Sequence, residues 1–184
     1  IKRIVEAAQQ SISTIMDASI FTIGIHNKEN KALEMPLTIE NGEKIEFHSY
    51  DLTNEEPRLA TWCFRKAKEI FISDYVAEFN NYFPDTPLVM PKVGQLPQSV
   101  IYIPIKRKED TIGVITVQSF KNAAYTKYHL NFLRNMAVYV GIAIENADAY
   151  ERIKESNEAI ATQKQLLEQS FHHIQLLGEI GQEV

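Results

Sequence analysis

A cysteine nucleophile needs a base beside it, and Cys63, the one cysteine among 184 residues, has no histidine near it in the chain. Its neighbours Leu59, Trp62 and Lys66 read as an amphipathic helix, where a thiol is a small apolar filler. A redox-sensing or anchoring role for Cys63 is the competing reading. No G-x-S-x-G elbow presents a serine, and no glycine-rich loop is present to cradle a phosphate. The five histidines, His26, His48, His129, His172 and His173, are scattered, and no two stand at i, i+4 with an acidic partner. No metal centre is expected from that spacing. His172 and His173 lack the acidic residue and following proline of a phosphoacceptor box and read as solvated helix positions. With no convergent acid, base or nucleophile cluster, catalysis is not expected of these residues, and no cofactor is implied.

Two other groups of residues carry a signal. Trp62, Phe64, Tyr75, Phe79, Tyr82 and Phe83 gather flat side chains into one stretch, with Asp74, Asn80 and Asn81 among them. Apolar walls with few polar anchors suit a small aromatic ligand; simple core filling is the alternative. Further on, Ile153, Ile160, Leu167 and Ile174 recur every seven residues, and Tyr150, Asn157, Lys164 and Phe171 fill the other seam position. An isolated helix would leave those aliphatics in water, so the repeat predicts a parallel two-stranded coiled coil, a homodimer seam. Asn157 and Lys164 would weaken it while fixing register and strand number. A single helix docked along another domain of a longer protein is the alternative.

The elements that position these groups are legible from periodicity. Ile1, Val5, Ala8, Ile12 and Ile15 mark an amphipathic helix. Ser19 to Ile25 reads as a buried strand, and Leu33 to Glu40 meets Lys44 to Tyr50 across Asn41-Gly42, a type I′ hairpin. Pro57 is expected to open a short helix through Lys66. Glu69 to Ser73 is strand-like, Ala77 to Tyr82 reads as a helical turn, and the proline-rich stretch Phe83 to Gln98 as a long loop. Val100 to Ile105 and Thr111 to Ser119 form a second hairpin, about a charged tip. Thr126 can cap the last helix while Tyr125 staples onto Leu130. Leu130, Leu133, Ala137, Val140, Ile144 and Ala147 line one face of it, and neither proline nor glycine interrupts it between Tyr150 and Gly178. A helix from Thr126 to Leu177 would measure about 78 Å, far beyond the roughly 16 Å radius of gyration of a compact chain this long.

Composition excludes several partners. Nineteen Lys and Arg against 24 Asp and Glu leave a net charge of −5. No basic surface for a nucleic-acid backbone is expected. Mean hydropathy is −0.23, and no apolar run approaches the roughly 18 residues of a membrane span. One cysteine cannot form an internal disulfide, which points to a reducing, cytoplasmic setting. The sequence opens on Ile1 inside a helical pattern, without a signal peptide, and reads as part of something longer.

The element order, with SVIYIPIKRKEDTIGVITVQSF followed by YTKYHLNFLRNMAVYVGIAIENA, resembles a GAF domain over roughly Ile4 to Tyr150. Its specific parts are Pro104, the Ile112-Gly113-Val114 that opens the last strand, and the closing Ala143-Ile144-Glu145-Asn146-Ala147. The whole is similar to GAF modules of bacterial two-component sensor proteins, where a helix runs on to a histidine kinase core or another module. The resemblance implies an α+β fold: an antiparallel sheet of about six strands, terminal helices on one face, short helices and loops over the other, and a long C-terminal coiled-coil helix. It divides the chain into a sensory domain, residues 1–150, and a signalling helix, 151–184. The tail Leu177 to Val184 looks like the start of a further module.

The same resemblance places a ligand between the sheet and its cover, Arg58 to Lys68 and Ser73 to Gln98. Pocket candidates are then Trp62, Phe71, Asp74 and Tyr75, with Phe21, Ile23, Ser99 and Ile101 from the sheet. Alternation leaves open which strand face looks in. The expected function is a non-catalytic sensory module: homodimeric through its C-terminal helix, cytoplasmic, feeding an output domain of the same parent, with no nucleic-acid or membrane partner. Alternatives are a ligand-free dimerisation spacer and a cyclic-nucleotide site, although the Asn-Lys-Phe-Asp-Glu signature of the latter stops at Asn27-Lys28. Two relatives' chemistries are not expected. A chromophore anchor would need a histidine beside Cys63, and methionine sulfoxide reduction in such domains uses several cysteines.

Overall fold

The computed structural model describes residues 1–88 and 95–180, with side chains as far as 174. Six strands, β1 (Ile20–Asn27), β2 (Ala32–Glu40), β3 (Glu43–Asp51), β4 (Ile70–Ile72), β5 (Ser99–Arg107) and β6 (Asp110–Ser119), form one antiparallel sheet in the order β3-β2-β1-β6-β5-β4. The helices are α1 (Lys2–Ser13), α2 (Leu59–Lys66), α3 (Tyr75–Glu78) and α4 (Lys127–Ile180), and a 3-10 turn covers Phe79–Asn81. Two compact units result, Ile1–Ile144 and Glu145–Val184.

Strand alternation puts an apolar set on each sheet face, and each set has its own cover. Phe21, Ile23, Ile101, Ile103, Ile115 and Val117 pack with Val5, Ala8 and Ile12 of α1 and with Leu133, Ala137 and Val140 of α4. These positions recur at steps of three and four on both helices, so each helix buries one stripe. Ile15, read as part of the α1 stripe, lies beyond the helix end and is exposed. On the other face Leu33, Met35, Val100, Tyr102 and Val114 pack with Leu59, Ala60 and Cys63 of α2.

β2 contributes to both cores because its parity changes midway. Leu33 and Met35 face α2, whereas Leu37 and Ile39 face the terminal helices. The register against β1 slips by one residue between Thr22/Thr38 and Ile25/Glu34, so β2 carries a bulge with Pro36 inside it. A proline in an interior strand is tolerated at such a bulge, where its missing N–H removes no ladder bond.

Local chemistry fixes the remaining joints. Asn41 and Gly42 both have positive φ, 51° and 84°, as the type I′ turn requires. Tyr125 and Leu130 are both buried in the helix-side core, as a staple across the start of α4 demands. The Thr126 N–H donates to His129 Nδ1 at 3.2 Å, so His129 fills the place of the glutamate in a capping box. Pro57 does not open α2. The Arg58 N–H donates to the Glu56 carbonyl and Arg58 itself is extended, so the helix starts at Leu59. The helical turn expected at Ala77 to Tyr82 begins earlier, at Tyr75, where Asp74 Oδ1 accepts from the Ala77 N–H at 3.0 Å. Burial pushes the Asp17 carboxyl up, but hydrogen bonds from Ser19, Ser119 and Lys121 outweigh it and hold Asp17 below its ordinary range. Asp17 thereby ties the start of β1 to the end of β6.

The second unit is helical, and Tyr150, Ile153, Ile160, Leu167, Phe171 and Ile174 are each 59–71% exposed there. Of the tail Leu177 to Val184, only helical backbone to Ile180 lies within the described residues. No helix among the described residues is long and apolar enough to cross a membrane.

Candidate functional site

On the α2 face of the sheet, the cover leaves a cavity of about 670 Å³. Its floor comes from four strands: Thr22, Met35, Tyr102, Thr116 and Gln118. Pairing explains how they meet. Thr38 lies opposite Thr22, Thr22 opposite Thr116, and Thr116 opposite Tyr102, one straight row across β2, β1, β6 and β5. Directly opposed residues project from the same face, so the row sets four hydroxyl-bearing side chains on one face of the sheet. All four residues are buried, with Thr116 only 2% exposed.

The hydrogen bonds within this row are incomplete. Thr22 Oγ1 donates to the Leu37 carbonyl at 2.9 Å, and Gln118 Nε2 donates to the Tyr102 phenol oxygen at 3.1 Å. Among the described residues Thr38 Oγ1 has no partner, while Thr116 Oγ1 is shielded from solvent beside the Tyr102 phenol. A buried hydroxyl left unsatisfied costs about 1–3 kcal/mol, a cost that falls on Thr38. Thr116 is among the residues that line the cavity, with its hydroxyl oxygen shielded from the open space.

The walls are aromatic and the rim carries the charge. Tyr50, Tyr75 and Phe79 flank the floor, and Leu59 and Ala60 bring the first turn of α2 to it. Tyr75 stacks on Phe79 at 5.7 Å between ring centres, and the Arg58 guanidinium lies 4.6 Å over the Tyr50 ring. Arg58 also pairs with Glu56 at 2.7 Å, both about half exposed at the rim. Burial pushes the Tyr75 phenol up to about 12 and raises Tyr50 and Tyr102 as well, so all three stay protonated donors at neutral pH.

Of the eight pocket candidates taken from the sequence, Tyr75 lines this cavity and the others have different places. Phe21, Ile23 and Ile101 are buried on the opposite face, against α1 and α4, and Phe71 packs on that same core. Ser99 is buried, its hydroxyl donating to the Lys121 carbonyl and accepting from the Ala124 N–H. Asp74 caps α3, while Glu78 accepts from the Ser73 and Asp74 N–H groups. Trp62 packs against the core of the α2 face and meets Tyr82 edge to face at 5.0 Å, outside the cavity lining. Replacement Trp62→Ala is therefore expected to lower stability by on the order of 2 kcal/mol, since the ring is half-buried, without altering a ligand's effect on the melting temperature. Paired urea unfolding and ligand-shift melts check both halves of that expectation.

Sequence reasoning missed Thr22, Thr116 and Gln118. Their signal was present as the second parity of the runs SIFTIGI and GVITVQS, whose apolar parity faces the terminal helices. Cys63 is fully buried, and burial pushes its thiol well above the ordinary range, the opposite of an activated nucleophile. Among the described residues no three His, Cys, Asp or Glu side chains are placed to hold a metal ion.

A family model described as GAF domain matches residues 1–145. The chain belongs to the GAF domain family. Its sheet and helices are those of a GAF fold, and a general sensory, regulatory role goes with that membership. The chain is 25% identical over 116 residues to the formate hydrogenlyase transcriptional activator FhlA of Escherichia coli (strain K12), covering 62% of this chain and 17% of that protein. It therefore spans about a sixth of that relative's length. Among solved structures it is similar to the GAF domain of a two-component sensor histidine kinase from Bacillus halodurans, at 16% identity and TM-score 0.61, covering 82% of this chain and 97% of that one. It is also similar to a type II free methionine-R-sulfoxide reductase from Thermoplasma acidophilum, at 17% identity and TM-score 0.58, covering 77% and 89%.

Proposed function

We propose that this GAF domain is a non-catalytic sensor of a small molecule, working within a longer signal-transduction protein of the two-component kind or a related transcriptional activator. The observation that carries this reading is the cavity of about 670 Å³ on the α2 face of the sheet, walled by Tyr50, Tyr75 and Phe79 over a polar floor that includes Tyr102 and Gln118. A ligand-free spacer would gain by replacing such a floor with packed apolar side chains. The buried Cys63, and the lack of an acid, base or nucleophile cluster among the described residues of the cavity lining, support a binding role over chemistry.

Output passes through α4, whose first half is packed on the sheet and whose second half presents the heptad seam of Ile153, Ile160, Leu167 and Ile174. A ligand biases two packings of a homodimer by its differential affinity for them, a coupling of typically about 1–3 kcal/mol. Thermal melts of the whole chain against a panel of small neutral and charged molecules test the sensory half. At least one molecule is expected to raise the melting temperature in a dose-dependent way, by mass action on the folded state. A melting temperature that no molecule moves would favour the spacer.

A further inference from the structure

Within the sheet unit, α4 carries a second apolar stripe beside the one that packs on the sheet. Leu133, Ala137, Val140 and Ile144 are buried against the strands. Residues 135–144, NMAVYVGIAI, hold no charged side chain at all. Their outward side is therefore apolar, with Val138, Tyr139 and Ile142 each 51–67% exposed. A helix face turned to water ordinarily carries charge, whereas a contiguous apolar patch marks a surface that another molecule covers.

Register indicates what that molecule is. Counting back by sevens from Ile153 gives Asn146, Tyr139 and Phe132, and from Tyr150 gives Ala143 and Met136. These positions continue the heptad of the C-terminal seam into the sheet unit. Phe132, Met136 and Ala143 are half-buried, and Tyr139 projects, 67% exposed. In a parallel pair of helices two-fold symmetry brings each seam position onto its own counterpart. The stripe suits such a meeting, because none of its residues is charged and self-contact opposes no like charges. Aromatic residues and Met are also the types enriched at interfaces between chains.

We propose that the self-association face begins on the sheet unit itself, with Phe132, Met136, Tyr139 and Ala143 of one chain packed on the same residues of a second copy. The proposal rests on the homodimeric reading of α4 and adds to it where the contact with the partner starts. Leu133 and Val140, which directly follow Phe132 and Tyr139, are packed on the sheet. Sheet contact and partner contact then alternate along one helix, so a change at the sheet reaches the partner within the sensory unit.

Charge placed at Tyr139 of the full chain tests this by sedimentation equilibrium. Tyr139→Glu and Tyr139→Arg each set like charges face to face and are expected to weaken the dimer at least about tenfold in Kd. Tyr139→Phe should stay within about threefold of the natural chain, since it loses only a hydroxyl. Val138→Glu, on the neighbouring exposed position off the stripe, should also leave the Kd within about threefold. Mixing the Glu and Arg variants in equal amounts, at a concentration where each alone is mostly monomer, should restore dimer mass, because position 139 then meets its opposite charge. The melting temperature of the sheet unit should hold throughout, as Tyr139 is exposed within it. An unchanged Kd for Tyr139→Glu, an equal loss in Val138→Glu, or a mixture that stays monomeric would overturn the proposal. If the double variant Ile160→Glu with Leu167→Glu still dissociates the dimer in that case, the C-terminal seam stands alone. A natural chain that is monomeric throughout would overturn both.

Discussion

Replacing Gly113 by alanine is expected to destabilise the sheet unit by about 3–5 kcal/mol, a size of effect reserved for core or backbone conflicts. Gly113 lies on β6 between Ile25 of β1 and Ile105 of β5. A Cβ added there would stand well under 3.0 Å from the carbonyl oxygen of Gly24, and that neighbour is backbone rather than the movable end of a side chain. β6 is an interior strand, so drawing away from β1 would strain its ladder with β5. Neither strand can yield cheaply. At about 2–4 °C per kcal/mol for a chain of this size, the melting temperature should drop by roughly 10 °C. Urea unfolding followed by circular dichroism measures the loss directly, and a change under about 0.5 kcal/mol would mean that the Gly24–Gly113 approach is not a structural constraint. The same contact gives a physical reason for the Ile112-Gly113-Val114 motif, since a side chain at its centre has no room.

The second large effect is expected at the helical seam. Burying an Ile or Leu side chain contributes about 1.5–3 kcal/mol, and a parallel dimer buries each seam position twice. The double variant Ile160→Glu with Leu167→Glu removes four such side chains and places like charges across the seam. Dimer dissociation should then strengthen by more than a hundredfold in Kd, at 1.4 kcal/mol per decade. Sedimentation equilibrium of the full chain reads this as a shift from dimer to monomer mass at micromolar concentration. The sheet unit should melt as before, because Ile160 and Leu167 are exposed within their own unit. An unchanged mass in the double variant would assign these aliphatics to some other partner.

Much of the fold is legible in the sequence because its strands and turns obey local rules. The Asn41-Gly42 turn, the β-branched runs of β1, β5 and β6, and the staple of Tyr125 on Leu130 each follow from residue type and spacing. The start of α2 was harder to read. Proline tolerates the first helical turn, but here the Arg58 N–H turns back to Glu56 and delays the helix by two residues.

The site was legible only in outline, for two physical reasons. Strand alternation names two faces without saying which one looks into a cavity, and apolar bulk at Phe21, Ile23 and Ile101 marks the better-packed face rather than the open one. Threonines at alternate strand positions ordinarily signal solvent, yet Thr22, Thr38 and Thr116 are buried. The β2 bulge at Pro36 compounds the problem, since it moves Thr38 onto the face of Met35 against simple alternation. Trp62 and Asp74 were drawn in by type, whereas their contacts are an edge-on tyrosine and a helix cap.

A relay through a parallel, in-register dimer brings the same seam residue of two chains face to face, which makes cross-linking of one position the most direct test. Introduced by Lys164→Cys, a thiol at the seam should oxidise quickly to a covalent dimer of the full chain, whereas Gln163→Cys, one residue off the seam, should not; the natural Cys63 is buried and serves as background. Fast cross-linking at 164 with little at 163 is the predicted result. Equal rates at the two positions, or no covalent dimer at either, would contradict it.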